Sequence, residues 1–450
     1  MLSPNVVRVI NKTFLSATAA TCIFFVISST SLQALNLFRN GTTALSQGLG
    51  GVDAVGQRSF LDAIASNPAM LNDHNGLRVA THASYGEYQP VYTNPVNNNA
   101  GNDYSAGIVP GVGLMWHPED SKFAFGFGFV PDITLNTRFQ LNDRPGGLSG
   151  TTSYGNTVYS SVFNISRTAA LVSYEVNEKL SLGASFGLLY NYNELTLPYV
   201  FQNTPGLVGA KVLLDTNTDG YGFGAQFGLV WQPNDKWTLG VSLRPTAHVE
   251  SSGTSTGTAS AEFQALGLPF SALPPEYSYR ADIRNTVPMT LKLGVEFEPT
   301  EKTSLYAQFE FIEMSGEYDT LTVNLSNGTN PNLPSTIVEN PPMNWDDQYI
   351  LRLGIEQMLN DNIGLLAGTA FANNVFPDGT VTPVNGINTE AIISGGVFYE
   401  SEKWLIGASG QYLFENESSA GTNDFVGIDY EDYSYQLDGF WLNLTLEYRF

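Results

Sequence analysis

A segment whose side chains alternate apolar and polar, residue by residue, can bury only one face as a strand. From residue 77 to the C-terminus this chain repeats that pattern in segment after segment. In 122–139, Phe123, Phe125, Phe127 and Phe129 share one face, while Ala124, Gly126 and Gly128 take the other. In 180–193, Leu182, Phe186, Leu188 and Tyr190 oppose Ser181, Gly183, Ser185 and Gly187. In 221–231, Tyr221, Phe223, Phe227 and Trp231 oppose Gly222, Gly224, Gln226 and Gly228. The last segment sets Phe440, Leu442, Leu444, Leu446, Tyr448 and Phe450 against Asn443, Thr445, Glu447 and Arg449. One face is apolar and the other small or polar, which fits lipid outside and a polar lumen inside. A soluble sandwich would yield a few such strands, but not aromatics so regularly at their ends.

Composition narrows the choice. Only 14% of residues are charged, against roughly a quarter in soluble domains. With 22 Tyr, 27 Phe and 6 Trp the chain is far too aromatic for disorder. No apolar run in the body reaches the roughly 18 residues of a membrane helix. A net charge of −23 opposes nucleic acid as a partner.

Fourteen alternating segments begin near residues 77, 105, 122, 162, 179, 220, 236, 285, 302, 347, 362, 390, 403 and 439. Six short polar turns, among them Pro118-Glu119-Asp120 and Pro233-Asn234-Asp235, alternate with seven longer loops. The longest loops lie near 251–284 and 315–345. Short turns on one side and long loops on the other mark an outer-membrane barrel. The predicted fold is all-β: a 14-stranded antiparallel transmembrane β-barrel over residues 77–450, multi-pass in the outer membrane of a Gram-negative bacterium. An aromatic C-terminus, Phe450, suits recognition by the outer-membrane assembly machinery. A monomer, bathed in outer-membrane lipid and lipopolysaccharide, is expected.

Residues 1–34 read as a signal peptide, with Arg8 and Lys12 ahead of an apolar stretch from Phe14 to Ile27 and a cleavage site near Ala34. Cys22 is the only cysteine and lies inside it, so thiolate chemistry and disulfides are excluded after export.

Residues 35–76 do not alternate. They are rich in Gly, Ala, Ser and Asn, and are long enough to fill a barrel as a plug. The run Ala44-Leu45-Ser46-Gln47-Gly48-Leu49-Gly50-Gly51, then Asp62-Ala63 and Ser66-Asn67-Pro68-Ala69-Met70-Leu71, resembles the hatch of the FadL family of outer-membrane channels. The segments Phe123–Phe139, Leu180–Tyr192 and Asp347–Phe371 are similar to that family too. The resemblance implies an N-terminal hatch inside the lumen and passive uptake of hydrophobic small molecules, either long-chain fatty acids or uncharged hydrocarbons and lipids. It also implies sideways exit at a kinked third strand. Val130-Pro131-Asp132 interrupts that strand, since proline cannot donate to a ladder. Asn67 and Pro68 of the hatch complete the lateral gate, the Asn67 amide being expected to satisfy backbone freed near Pro131.

The hydrophobic pocket is expected between Leu35, Leu37 and Phe38 of the hatch and Leu195, Leu197, Val200 and Phe201 of the fifth strand. Family members place a carboxylate-binding arginine at the outer end of that strand, where this chain has Leu197. An unpaired buried carboxylate is costly, so uncharged cargo gains weight. Arg138 and Arg352, on the apparent lumen face with Arg244 and Lys292, are the other candidate carboxylate partners. The acidic residues Glu296, Glu310 and Glu356 compete for them. A loop groove is expected at Phe263, Leu266, Leu268 and Phe270, near a second apolar loop at 205–214.

Other chemistry is sparse. Asp215-x-Asn217-x-Asp219-Gly220 opens like a calcium loop, but its twelfth position is Gln226. The four histidines show no metal spacing, and neither a metal nor a cofactor is expected. The chain does not read as an enzyme. Two alternatives stand beside the hydrophobic channel. One is a general diffusion porin, which has no need of a plug. The other is an outer-membrane lipid hydrolase, which needs a Ser and a His within hydrogen-bond reach near the lipid face.

Overall fold

In the computed structural model, residues 39–103, 106–260, 262 and 276–450 are described. The signal segment, Leu35, Leu37 and Phe38, and the loop residues Phe263, Leu266, Leu268 and Phe270 lie outside the described residues.

The alternating segments become β1 (Gly76–Tyr88), β2 (Ala106–His117), β3 (Phe123–Asn142), β4 (Asn156–Asn177) and β5 (Leu180–Val200). Next come β6 (Lys211–Asn234), β7 (Trp237–Arg244 and Ala247–Ala259) and β8 (Glu276–Val287 and Thr290–Thr300). The circuit continues with β9 (Thr303–Ile312), β10 (Gln348–Met358), β11 (Ile363–Ala372), β12 (Ala391–Glu400), β13 (Trp404–Ala420) and β14 (Tyr433–Arg449). Each pairs antiparallel with the next, and β1 pairs with both β2 and β14, Val79 lying opposite Leu114 on one side and Tyr448 on the other. The result is a closed 14-stranded barrel. Pairing the first strand with the last removes the two free end strands that an open sheet would present to lipid, where an unpaired N–H or C=O is costly.

Two strands run further than their apolar pattern. The expected loop 251–284 carries ladder pairing from Ser251↔Ile283 out to Thr258↔Glu276. Residues 251–259 are rich in Ser, Thr and Gly and lack an apolar face, so periodicity could not report that strand, whereas 276–284 do alternate, with Tyr277, Tyr279, Ala281 and Ile283 buried on one face. Both halves of this hairpin break at proline: Pro245 splits β7 and Pro288 splits β8, opposite one another between the rungs Arg244↔Thr290 and Ala247↔Val287. The loop at 315–345 likewise holds a short ribbon, Val323–Ser326 with Thr336–Glu339, paired onto upper β8.

The aromatic faces point outward. Phe127, Phe186 and Phe223 are 55%, 60% and 62% exposed to the space that lipid fills. Phe186 and Phe223 stack across β5 and β6 with ring centroids 5.5 Å apart.

The opposite faces meet residues 40–74. Helix α1 (Ala44–Gly48) is buried throughout, capped by Thr43, which exchanges bonds with Ser46. Helix α2 (Phe60–Ala65) starts at Ser59, and a 3-10 turn, Pro68–Asp73, starts at Asn67, whose side chain accepts the Ala69 N–H. The segment is bonded to strands around the whole circuit: Ala44 N–H to Thr445 Oγ1 (2.8 Å), Gly50 N–H to Ser394 Oγ (2.9 Å), Asp53 N–H to Gln308 Oε1 (2.9 Å) and Ser173 Oγ–H to the Ala69 carbonyl (2.9 Å). The small residues of the inner faces make the room. A Cβ on Gly183 would strike the Ala69 backbone, and one on Gly368 the Gly50 backbone. On the long-loop side of this segment the inner faces turn apolar, and Ile133, Leu189, Val249, Ile312, Ile350 and Leu413 join one buried cluster.

Candidate functional site

β3 departs from the ladder where Val130-Pro131-Asp132 predicts it. β2 and β3 share only the rungs from Trp116↔Phe125 to Val112↔Phe129. Beyond Phe129, β3 follows β4 as far as Asn142↔Asn156, while β2 pairs with β1 alone. The two walls meet again at the Asn102↔Phe139 bridge, where Asn102 Oδ1 accepts the Arg138 N–H at 2.7 Å. The register of β3 against β4 shifts between Pro131 and Ile133, so Asp132 is an inserted bulge residue.

One inserted residue inverts the facing of everything after it. Before the bulge the inward residues are Ala124, Gly126 and Gly128; after it Ile133, Leu135, Thr137 and Phe139 are buried. Arg138 therefore alternates with Thr137 and Phe139 on the opposite face, and its expected place in the lumen is corrected.

The Asp132 carboxylate accepts two bonds from Arg167 of β4, from Nε at 3.0 Å and Nη2 at 3.1 Å. Arg167 also donates to Gln226 Oε1 (2.8 Å) and to the Ala65 carbonyl at the end of α2 (2.8 Å). It thus ties kink, wall and N-terminal segment. Gly187 gives its stem room, since a Cβ there would meet Arg167 Cγ.

The expected contact of Asn67 with the third strand is a second correction. Its amide donates to the Ala54 carbonyl (2.8 Å) and to the Leu229 carbonyl of β6 (3.2 Å). Pro68 lies beside Gly183 and Gly228 of β5 and β6. The asparagine caps its own 3-10 turn, which aims it at β6, three strands round from the kink, and Ala65 is the residue that reaches the kink through Arg167.

Leu195 and Leu197 join the central apolar cluster, Leu197 at 4% exposure. Phe201 belongs to a separate outer cluster with Leu207, Val212 and Tyr277. Val200, buried, falls in neither cluster. The expected pocket is thus divided between two clusters, and Leu207 and Val212 of the 205–214 loop are packed rather than open as a groove. Arg352 is fully buried and committed: Nε and Nη2 donate to Glu310 (3.2 and 2.9 Å) and Nη1 to the Gly50 carbonyl (3.0 Å). Lys292 donates to both oxygens of Asp53 (2.9 and 2.8 Å). The lumen acids and the N-terminal segment take up these cations, as the competing reading anticipated.

The sequence reading missed residues 373–389. Val375, Phe376, Val381, Val384 and Ile387 of this connection are buried in the central cluster. Phe376 meets Trp345 edge-on at 4.7 Å, and Trp345 stacks on Tyr318 at 4.6 Å. Five apolar residues in a polar loop were the available signal. The calcium-like run is strand: Asp215, Asn217 and Asp219 lie along one face of β6 and cannot wrap an ion. A Ser–His pair does exist, His82 Nε2 lying 2.6 Å from Ser84 Oγ, but it is buried beneath Arg39 and Gln47, with Thr445 on Nδ1 instead of a carboxylate.

A closed barrel with lipid-facing aromatics, a filled lumen and an interrupted wall defines an outer-membrane transport protein. The chain belongs to the Outer membrane protein transport protein (OMPP1/FadL/TodX) family, whose model matches residues 26–450. No curated protein matches it. Among solved structures it is similar to the Ralstonia pickettii toluene transporter TbuX, with 17% identity, TM-score 0.70, and coverage of 93% of this chain and 100% of that one. It is similar to the P. putida toluene transporter TodX, with 16% identity, TM-score 0.72, and coverage of 91% and 99%. A Pseudomonas aeruginosa FadL homologue gives 17% identity, TM-score 0.72, and coverage of 91% and 98%.

Proposed function

We propose that this protein is a passive channel that takes hydrophobic small molecules through the outer lumen and releases them sideways, between β2 and β3, into the membrane. Residues 35–76 serve as its hatch. The observation that carries the reading is the seam left without rungs from Val130 until the Phe139 bridge, alongside an apolar outer lumen. A molecule leaving there enters lipid without crossing the hatch or meeting the periplasm. The outer lumen bears on cargo as well: Leu197 offers no charge, and the cluster around it is aliphatic and aromatic. A diffusion porin is disfavoured because the segment from Asn40 to His74 is packed against strands throughout the circuit.

The test is direct. Replacing Pro131-Asp132 by Thr-Thr restores an N–H and removes the bulge carboxylate. Uptake of a radiolabelled alkane by cells carrying the variant is expected to fall about tenfold or more, in line with closing a route rather than slowing it. Unchanged uptake through a folded variant would refute sideways exit.

A further inference from the structure

Above the bulge, two bonded residues show which backbone groups of β3 look across the seam. Arg138 N–H donates to Asn102 Oδ1 (2.7 Å) and its carbonyl accepts the Asp103 N–H (2.6 Å). Asn142 exchanges the same pair of bonds with the Asn97 side chain, at 2.8 and 2.9 Å. Both residues therefore turn their N–H and C=O away from β4. By the two-residue alternation of an antiparallel ladder, Thr134 and Asn136 do the same. There β2 has already left, and among the described residues no ladder partner remains for their N–H and C=O groups. Side chains add to this edge. Asn136 is 2% exposed, and both Oδ1 and Nδ2 of its amide are buried without a hydrogen-bond partner. Thr134 lies opposite Asn164 of β4, which sets Asn164 on the same face as Asn136 and diagonally across from it. Asn164 Oδ1 is likewise buried and unpartnered. An unpartnered buried amide is destabilising, and two of them flank a stretch of wall that lacks its ladder.

Their level in the membrane says what they would meet. Asn164 pairs with Tyr192 of β5 and Ser166 with Tyr190, whose ring packs against Tyr221 with centroids 5.1 Å apart. Lipid-facing tyrosines mark the head-group level, while the outward face of β3 below the bulge is the exposed phenylalanine row with Phe125 and Phe127. A molecule rounding the β3 edge thus meets uncharged donors and acceptors at the head groups and an apolar wall beneath them. We propose that Asn136, assisted by Asn164 and the freed backbone of Thr134, pairs with the neutral hydroxyl or carbonyl of an oxygenated cargo as it passes the seam. The channel then releases alcohols and ketones in preference to hydrocarbons of equal length, because a hydrocarbon leaves the same groups unpaired. The inference rests on the channel reading above and assigns it a substrate class.

The experiment compares uptake of radiolabelled octan-1-ol and octane by cells carrying the wild-type channel, Asn136→Leu, Asn136→Ser or Asn164→Leu, with the rate of cells lacking the channel subtracted. The alcohol-to-alkane rate ratio is expected to fall about fivefold or more in Asn136→Leu. It should fall less in Asn164→Leu, and Asn136→Ser, which keeps a donor and an acceptor, should recover part of it. Because the Asn136 amide bonds nothing within the protein, the urea midpoint of purified Asn136→Leu should stay level or rise when followed by tryptophan fluorescence. That readout separates a selecting residue from a structural one. A ratio unmoved in both leucine variants overturns the selectivity site, whether or not the rates themselves change. A lowered midpoint in Asn136→Leu overturns it too, since it would show the amide bonded within the wall. Wild-type cells with no channel-dependent uptake of either compound would sink the channel reading and this inference with it, whereas uptake of both with an unmoved ratio would sink the selectivity site alone.

Discussion

The seam between β2 and β3 and the ladder between β5 and β6 are built from similar strands and behave differently. β5 and β6 pair without interruption from Leu180↔Trp231 to Val200↔Lys211, even though Pro198 sits within β5 opposite Leu213. Pro110 of β2 likewise stays in register opposite Ala83. Proline alone therefore does not open this wall. At Pro131 the missing donor coincides with an inserted residue whose carboxylate is drawn to Arg167, and there β3 leaves β2. A lost hydrogen bond is tolerated, whereas a bulge anchored by a buried ion pair redirects the strand.

That difference can be broken most forcefully at the ion pair. Arg167→Met leaves Asp132 buried and unmatched by its nearest cation, and should destabilise the barrel by about 3–5 kcal/mol, read as a shift in urea unfolding followed by tryptophan fluorescence. The double change Arg167→Met with Asp132→Leu should cost much less than the sum of the single changes. Additive costs would show that the two side chains are not coupled.

A smaller effect tests the intact wall. Gly183→Val on β5 pushes into the Ala69 backbone and should cost about 1–3 kcal/mol as overpacking. Limited proteolysis should then cut the N-terminal segment sooner while the barrel itself resists. A third test concerns the interior of that segment. Asp62, buried and bonded by Thr43 and Ser46, has its carboxyl pushed up to about 7 by desolvation. The native state then holds a proton that an unfolded segment would release near pH 4. Docking should therefore weaken as pH rises from about 4 through 7, and Asp62→Asn should flatten that dependence in the same proteolysis assay. Smallest of all, Phe186→Ala on the lipid side of the β5–β6 ladder loses one aromatic stack, about 0.5–1.5 kcal/mol. A larger loss would mean that the intact ladder depends on its lipid-facing rings.

Much of this molecule is legible from its alternation. The strands, the short turns and the barrel follow from a period of two over segments long enough to span a membrane, because each residue's facing is set by its neighbours. The break at Val130-Pro131-Asp132 could also be read, since proline's missing N–H is a property of the residue. What followed from the break could not. Whether Asp132 was inserted or paired decided the facing of the next ten residues, and with it the removal of Arg138 from the lumen. Counting parity through the bulge as if it were regular strand produced that error.

The hatch divides the same way. Its small residues, its caps and its length were visible, and the glycines on the strands opposite it were visible as a small-residue face. Which wall Asn67 touches depends on where a 3-10 turn sits inside a cylinder of strands hundreds of residues away in sequence. The loop at 373–389 was likewise a polar connection by composition, and only the space left inside the barrel drew its five apolar residues inward. Local periodicity determines strands because facing is a local property. The partners of Asp132, Arg352 and Arg39 were decided by closure of the barrel, which alone brings the N-terminal segment against strands from every part of the chain.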